Sequence, residues 1–203
     1  MDPMPFKPLV RLPPDLTIHY PGDAFTGDGR AWCQRKSAQV LGEQARRGDV
    51  TRLARCLEDQ LEGFKKEKPL ITAALCFYPD YATLPPRALV RVHAFGPGKD
   101  NRPLTIDRVR EIYGTSRATV GETELTEHEV AAGHAVRVHR HSKVQPGKRH
   151  SKIFEEVAWV IWPPDFPVAV TLSARWLEPV FAKAGGIIAD NMARDFRIAP
   201  LGS

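Results

Sequence analysis

From residue 120 onward the apolar positions recur first at every second residue and then at every third or fourth, which predicts short strands closed by one helix. Residues 122–130 and 135–141 flank an Ala131-Ala132-Gly133 break, the pattern of a hairpin. Within 135–141, Val136 and Val138 point one way while Arg137, His139 and His141 point the other, as in a strand buried on one side. Ile153–Trp162 carries Val157, Trp159 and Ile161 on one face and Ala158, Val160 and Trp162 on the other. That strand is expected inside the sheet, covered on both sides. Pro163-Pro164-Asp165 then turns the chain, because proline has no N–H for a ladder. Val168, Val170 and Leu172 return as a strand. Leu177, Phe181, Ala184, Ile188 and Met192 follow at helical spacing, predicting a helix laid across the sheet. Gly185-Gly186 predicts a kink or break in it, since each glycine costs about 1 kcal/mol relative to alanine.

The first half reads as the layer that packs against these strands. Residues 1–14 are proline-rich and predict an extended arm, with Leu9-Val10-Arg11-Leu12 as an edge strand; residues 16–20 alternate as a second strand. Residues 22–30 read as a Gly/Asp loop, and Asp23 and Asp28 miss the ligand spacing of a calcium loop. Residues 38–47 and 50–66 read as helices, with Gly48 ending the first and Asp49 capping the second. Val50, Leu53, Ala54, Leu57, Leu61 and Phe64 line one face of the second helix. Residues 70–78 and Ala88–Phe95 read as strands, and in the latter Leu89, Arg91 and His93 oppose Val90, Val92 and Ala94.

Residues 104–120 imitate a helix-turn-helix, in which Ser116, Arg117 and Thr119 would meet base edges. Glu122, Glu124, Glu127 and Glu129 follow at once and would sit beside phosphates, against the electrostatic attraction that dominates such binding. A short helix leading into a strand is the preferred reading.

The run 129–137 (Glu-Val-Ala-Ala-Gly-His-Ala-Val-Arg), through Trp159 and Val168-Ala169-Val170-Thr171-Leu172 to residues 188–197 (Ile-Ala-Asp-Asn-Met-Ala-Arg-Asp-Phe-Arg), resembles the C-terminal half of PsbP-like proteins. The likeness is greatest to the small actinobacterial, LpqN-type members, and it covers roughly the last eighty residues. It implies an α+β fold, an antiparallel sheet with helices packed on its faces, and a binding or scaffolding role without shared catalytic residues. The chain departs from the lipoprotein branch in showing neither a signal segment nor a lipidated cysteine near Met1.

Composition narrows the picture. At 203 residues, 42% hydrophobic and 26% charged, the chain suits one soluble domain over residues 1–203 with a single sizeable core. No apolar run approaches a bilayer's thickness, so no membrane association is expected. Cys33, Cys56 and Cys76 are odd in number and widely spaced, which reads as reduced thiols in a cytoplasm. No nucleophile elbow, phosphate loop or dinucleotide fingerprint occurs, so neither catalysis nor a cofactor is expected. His139 and His141 share a strand face and would begin a metal site only if His93 or Glu155 came close.

The net charge is +5, and its distribution matters more than its size. Arg137, His139, Arg140, His141, Lys143, Lys148, Arg149, His150 and Lys152 lie between Glu129 and Glu155 with no acid among them. The expectation is a hairpin that presents residues 137–141 on one face and docks an acidic protein. The alternative is RNA or DNA, bound by this run or by 104–120; a homo-oligomer is also compatible.

Overall fold

The computed structural model describes residues 6–9, 17–21, 24–25, 27–66, 70–77, 81, 86–95, 104–114, 119–143, 152–164, 166 and 168–200. In chain order the elements are β1 (Phe6–Leu9), β2 (Thr17–Tyr20), α1 (Gly29–Leu41), α2 (Arg47–Phe64), β3 (Leu70–Cys76), β4 (Ala88–Phe95), α3 (Ile106–Gly114) and β5 (Thr119–Val130). They continue with β6 (Gly133–Lys143), β7 (Ile153–Trp162), β8 (Ala169–Trp176), α4 (Ala182–Asp195) and β9 (Arg197–Pro200).

Two meanders, β2-β3-β4 and β5-β6-β7-β8, join through β4 and β8 into a seven-stranded sheet ordered β2-β3-β4-β8-β7-β6-β5. Every pairing in it is antiparallel. The fold class is therefore the expected α+β, a sheet with helices on its faces. The arm expected at 1–14 contributes β1, which pairs with β9 rather than with the large sheet. Its strand lies at Phe6–Leu9, and residues 10–12 of the expected one fall outside the described residues.

Strand alternation decides what each face buries. On one face Val90, Val92, Val157, Trp159, Ile161, Val170, Leu172, Ala174 and Trp176 form a core with Ala189, Met192 and Ala193 of α4. On the other face the cover comes in two pieces. Leu53, Leu57, Leu61 and Phe64 of α2 pack with Ile18, Tyr20, Ala73 and Leu75. Val109 of α3 packs with Val136, Val138, Ala158 and Val160. β7 is thus apolar on both faces, as its sequence predicts, and Trp159 lies under the last helix.

Several boundaries differ from the sequence reading, each for a local reason. The first helix begins at Gly29, nine residues before the expected 38, because the Asp28 side chain accepts from Ala31 N and caps it. It ends at Gly42, whose φ of 78° closes the helix, so Gly48 is not its stop. α2 already contains Gly48 and Asp49 in its first turn, where Asp49 pairs with Arg52 at 2.8 Å instead of capping. The closing helix starts at Ala182, after a 3₁₀ turn at Pro179–Phe181, and runs unbroken through Gly185-Gly186. A Cβ at Gly185 would stand 2.5 Å from Trp176 Cε3, so this glycine lets the helix backbone lie on the indole. Gly185 allows the close approach, and the helix does not break there.

Candidate functional site

β6 carries most of the cations singled out by sequence, and its period of two distributes them. Arg137 faces α4, where its Nε donates to Asp190 Oδ1 at 2.9 Å and Trp159 Nε1 donates to the same oxygen at 3.0 Å. His139 lies on that face between carboxylates, 3.4 Å from Glu124 of β5 and 2.9 Å from Glu155 of β7. Glu155 also accepts from Trp176 Nε1 at 2.9 Å. Arg140 does not share this face, contrary to expectation. It points to the opposite side, where it donates to Glu156 Oε2 at 2.8 Å and its guanidinium sits 4.6 Å from the centre of the Tyr113 ring.

The run is acid-free only along the chain. Glu124, Glu155, Glu156 and Asp190 reach it from β5, β7 and α4. What remains outward is the far end of the hairpin. His141, Lys143 and Lys152 are exposed, and no ion pair engages either lysine among the described residues. Ile153, opposite Lys143 in the register, is 45% exposed. Lys148, Arg149 and His150 lie outside the described residues.

Arg140 belongs to a buried network that the sequence reading missed. Glu156 is 4% exposed and is held from both sides, by Arg140 and by Arg175 NH2 on Oε1 at 2.9 Å. Burial alone would raise this carboxyl, but Arg175 and then Arg140 hold it below its ordinary value by charge and by hydrogen bonding. Above it, burial first and the Glu156 charge second push the Tyr113 hydroxyl up to about 12, so it remains a protonated donor. The signal lay in β8, where Thr171, Ser173 and Arg175 alternate with Val170, Leu172, Ala174 and Trp176. One face of a central strand is polar there, and β4 repeats the pattern with Arg91 and His93.

His139 and His141 have ring centres 5.8 Å apart, but His93 belongs to β4 on the opposite face, and Glu155 is bonded to His139 directly. Among the described residues no group of three or more His, Cys, Asp or Glu is arranged to hold a metal ion. Cys33, Cys56 and Cys76 form no disulfide, and burial pushes each thiol up to about 11. The helix-turn-helix reading of 104–120 is not supported by the geometry, because Thr119 and Val120 already pair with Ser142 and His141 in β5–β6. Ser116 and Arg117 lie outside the described residues. No helix among the described residues is long and apolar enough to cross a membrane.

A scan against protein-family models finds no match to this chain, and a search of curated proteins finds no relative.

Proposed function

We propose that this is a non-catalytic binding protein that docks an acidic protein partner through the basic end of the β6–β7 hairpin. The observation that carries the reading is the pairing of Lys143 with a half-exposed isoleucine, Ile153, directly across the hairpin. An exposed isoleucine beside exposed lysines offers an apolar contact that a protein surface can use and a phosphate backbone cannot. Lys152 stands beside it, and Lys148 and Arg149 follow in the connecting sequence. Arg137, His139 and Arg140 serve instead as the internal ties that hold this hairpin to α4, β5 and β7.

Two further observations support the proposal. Raised thiol pKa values leave the cysteines neutral, with Cys33 and Cys76 buried and Cys56 partly buried, which fits a reducing cytoplasm and a non-nucleophilic role. The sheet with helices on both faces is the arrangement the PsbP-like resemblance implies, and binding or scaffolding is the role it implies.

The test is partner capture from source cells, compared between the parent, a Lys143, Lys148, Arg149 and Lys152→Ser variant, and Ile153→Ser. One protein partner lost with both variants, at unchanged melting, is the expected result. Capture that is nuclease-sensitive and indifferent to Ile153→Ser would transfer the assignment to nucleic acid, with a log–log salt slope near −0.7 per phosphate on a single strand. Equal capture by parent and both variants would sink the docking surface.

A further inference from the structure

On the sheet face away from α4, the apolar cover stops between the α2 cluster and α3. The gap is a cleft of about 300 Å³ floored by β4, β8, β7 and β6 and walled by Tyr113 of α3. Its volume is at the bottom of the range for small-molecule sites, so its occupant is small. Its polar lining is dominated by donors. Of the three arginines that line it, Arg140 and Arg175 share one carboxylate, Glu156, and that trio keeps one positive charge over. Arg175 Nε is buried without a hydrogen-bond partner. Thr171 Oγ1 is buried too and makes no hydrogen bond of good geometry, although the Tyr113 hydroxyl sits against it. Ser173, 6% exposed, adds a second hydroxyl on the floor beside that of Thr171.

Stability does not explain such a lining. Buried ion-pair networks are commonly replaced by apolar residues at no loss, because desolvation offsets most of their attraction. A donor-rich, positively charged cavity with unsatisfied N–H and O–H groups does have a chemical complement. We propose that this cleft binds a phosphate group, as inorganic phosphate or as the head of a small phosphomonoester. A tetrahedral anion fits better than a planar carboxylate because the donors come from two sides, Tyr113 from the helix wall and Ser173, Thr171 and Arg175 from the strand floor. Glu156 then orients the two arginines and limits the surplus charge they offer.

Thermal unfolding and calorimetric titration of the whole chain test this, with inorganic phosphate, glycerol phosphate, acetate and chloride compared at equal ionic strength. Phosphate at about ten times its dissociation constant should raise the melting temperature by roughly 3–6 °C, and acetate and chloride should not. Ser173→Ala and Tyr113→Phe, each the loss of one hydroxyl, should weaken phosphate binding by roughly tenfold or more while melting near the parent. Glu156→Gln removes the resident anion, so phosphate should stabilise that variant by more degrees than it stabilises the parent. Tighter binding of glycerol phosphate assigns the site to a phosphomonoester, and tighter binding of inorganic phosphate assigns it to the free ion. Acetate matching phosphate, no response beyond that to chloride, or unchanged phosphate affinity in Ser173→Ala and Tyr113→Phe would each overturn the proposal. Should Glu156→Gln not fold, the two hydroxyl variants still decide it.

Discussion

Replacing Gly185 and Gly186 one at a time by alanine separates helix propensity from packing within a single turn of α4. Both substitutions gain about 1 kcal/mol of propensity, since neither glycine needs a positive φ. Only Gly185 meets an obstacle. Its new Cβ would stand 2.5 Å from Trp176 Cε3 and 2.7 Å from both Cδ2 and Cζ3. The indole is 1% exposed and tethered by its Nε1 to Glu155, so it has no room to yield. Overpacking of this kind costs about 1–3 kcal/mol. Taking about 2 kcal/mol, Gly185→Ala nets a loss of about 1 kcal/mol and Gly186→Ala a gain of about 1 kcal/mol. In a chain of this length that is a fall and a rise of roughly 2–4 °C in melting temperature. Scanning calorimetry of the three proteins under one buffer reads the gap directly. Two variants melting within about 1 °C of each other would refute the close approach of helix and indole.

Trp159→Ala should cost about 3–5 kcal/mol, because it empties a core position and leaves Asp190 without the indole N–H; denaturant unfolding showing a loss under about 1 kcal/mol would place Trp159 outside the core. The Glu156 carboxyl titrates below its ordinary 4.5, so its contribution is complete above about pH 4.5 and is lost as the pH falls through the lower folded value. Glu156→Gln should therefore lose about 3 kcal/mol at pH 7, and the difference from the parent should shrink in acid; a difference constant from pH 7 to pH 3 would contradict the ion pairs. With thiols moved from 9.0 to about 11, the thiolate fraction at neutral pH falls roughly a hundredfold, so native protein should alkylate at least tenfold more slowly than unfolded protein; equal rates would show an accessible thiolate.

Strands were legible in this sequence where both faces are apolar or where apolar and polar residues alternate cleanly. β7 and β6 are the examples, since a side-chain period of two is a property of the chain itself. α1 was misplaced for the converse reason. Its buried positions are Gly29, Cys33 and Ser37, which carry no large apolar side chain, so its inner face left no periodic trace. The break expected at Gly185-Gly186 is absent, because a glycine's cost in a helix is local, whereas the indole that requires Gly185 arrives from β8.

The basic run shows the same limit in electrostatic form. Read along the chain, 137–152 has no acid; read across the sheet, Arg137, His139 and His141 have register partners on both β5 and β7, Arg140 and Lys143 have theirs on β7, and α4 covers one face. Register then sorts cations that are adjacent in sequence into separate surroundings. Arg137 is set against Asp190 under α4, Arg140 against Glu156 in the opposite cleft, and Lys143 beside exposed Ile153 at the hairpin's end. Glu156 and Arg175 are each unremarkable within their own strands and become a site only because β7 and β8 place them as direct partners. A carboxylate buried at that point without its arginines would be neutral or unfolded, so the arginines on β6 and β8 are a condition of having Glu156 there. The donors they leave over, Arg175 Nε together with the hydroxyls of Thr171 and Ser173, are what point the cleft toward an anion from outside the chain.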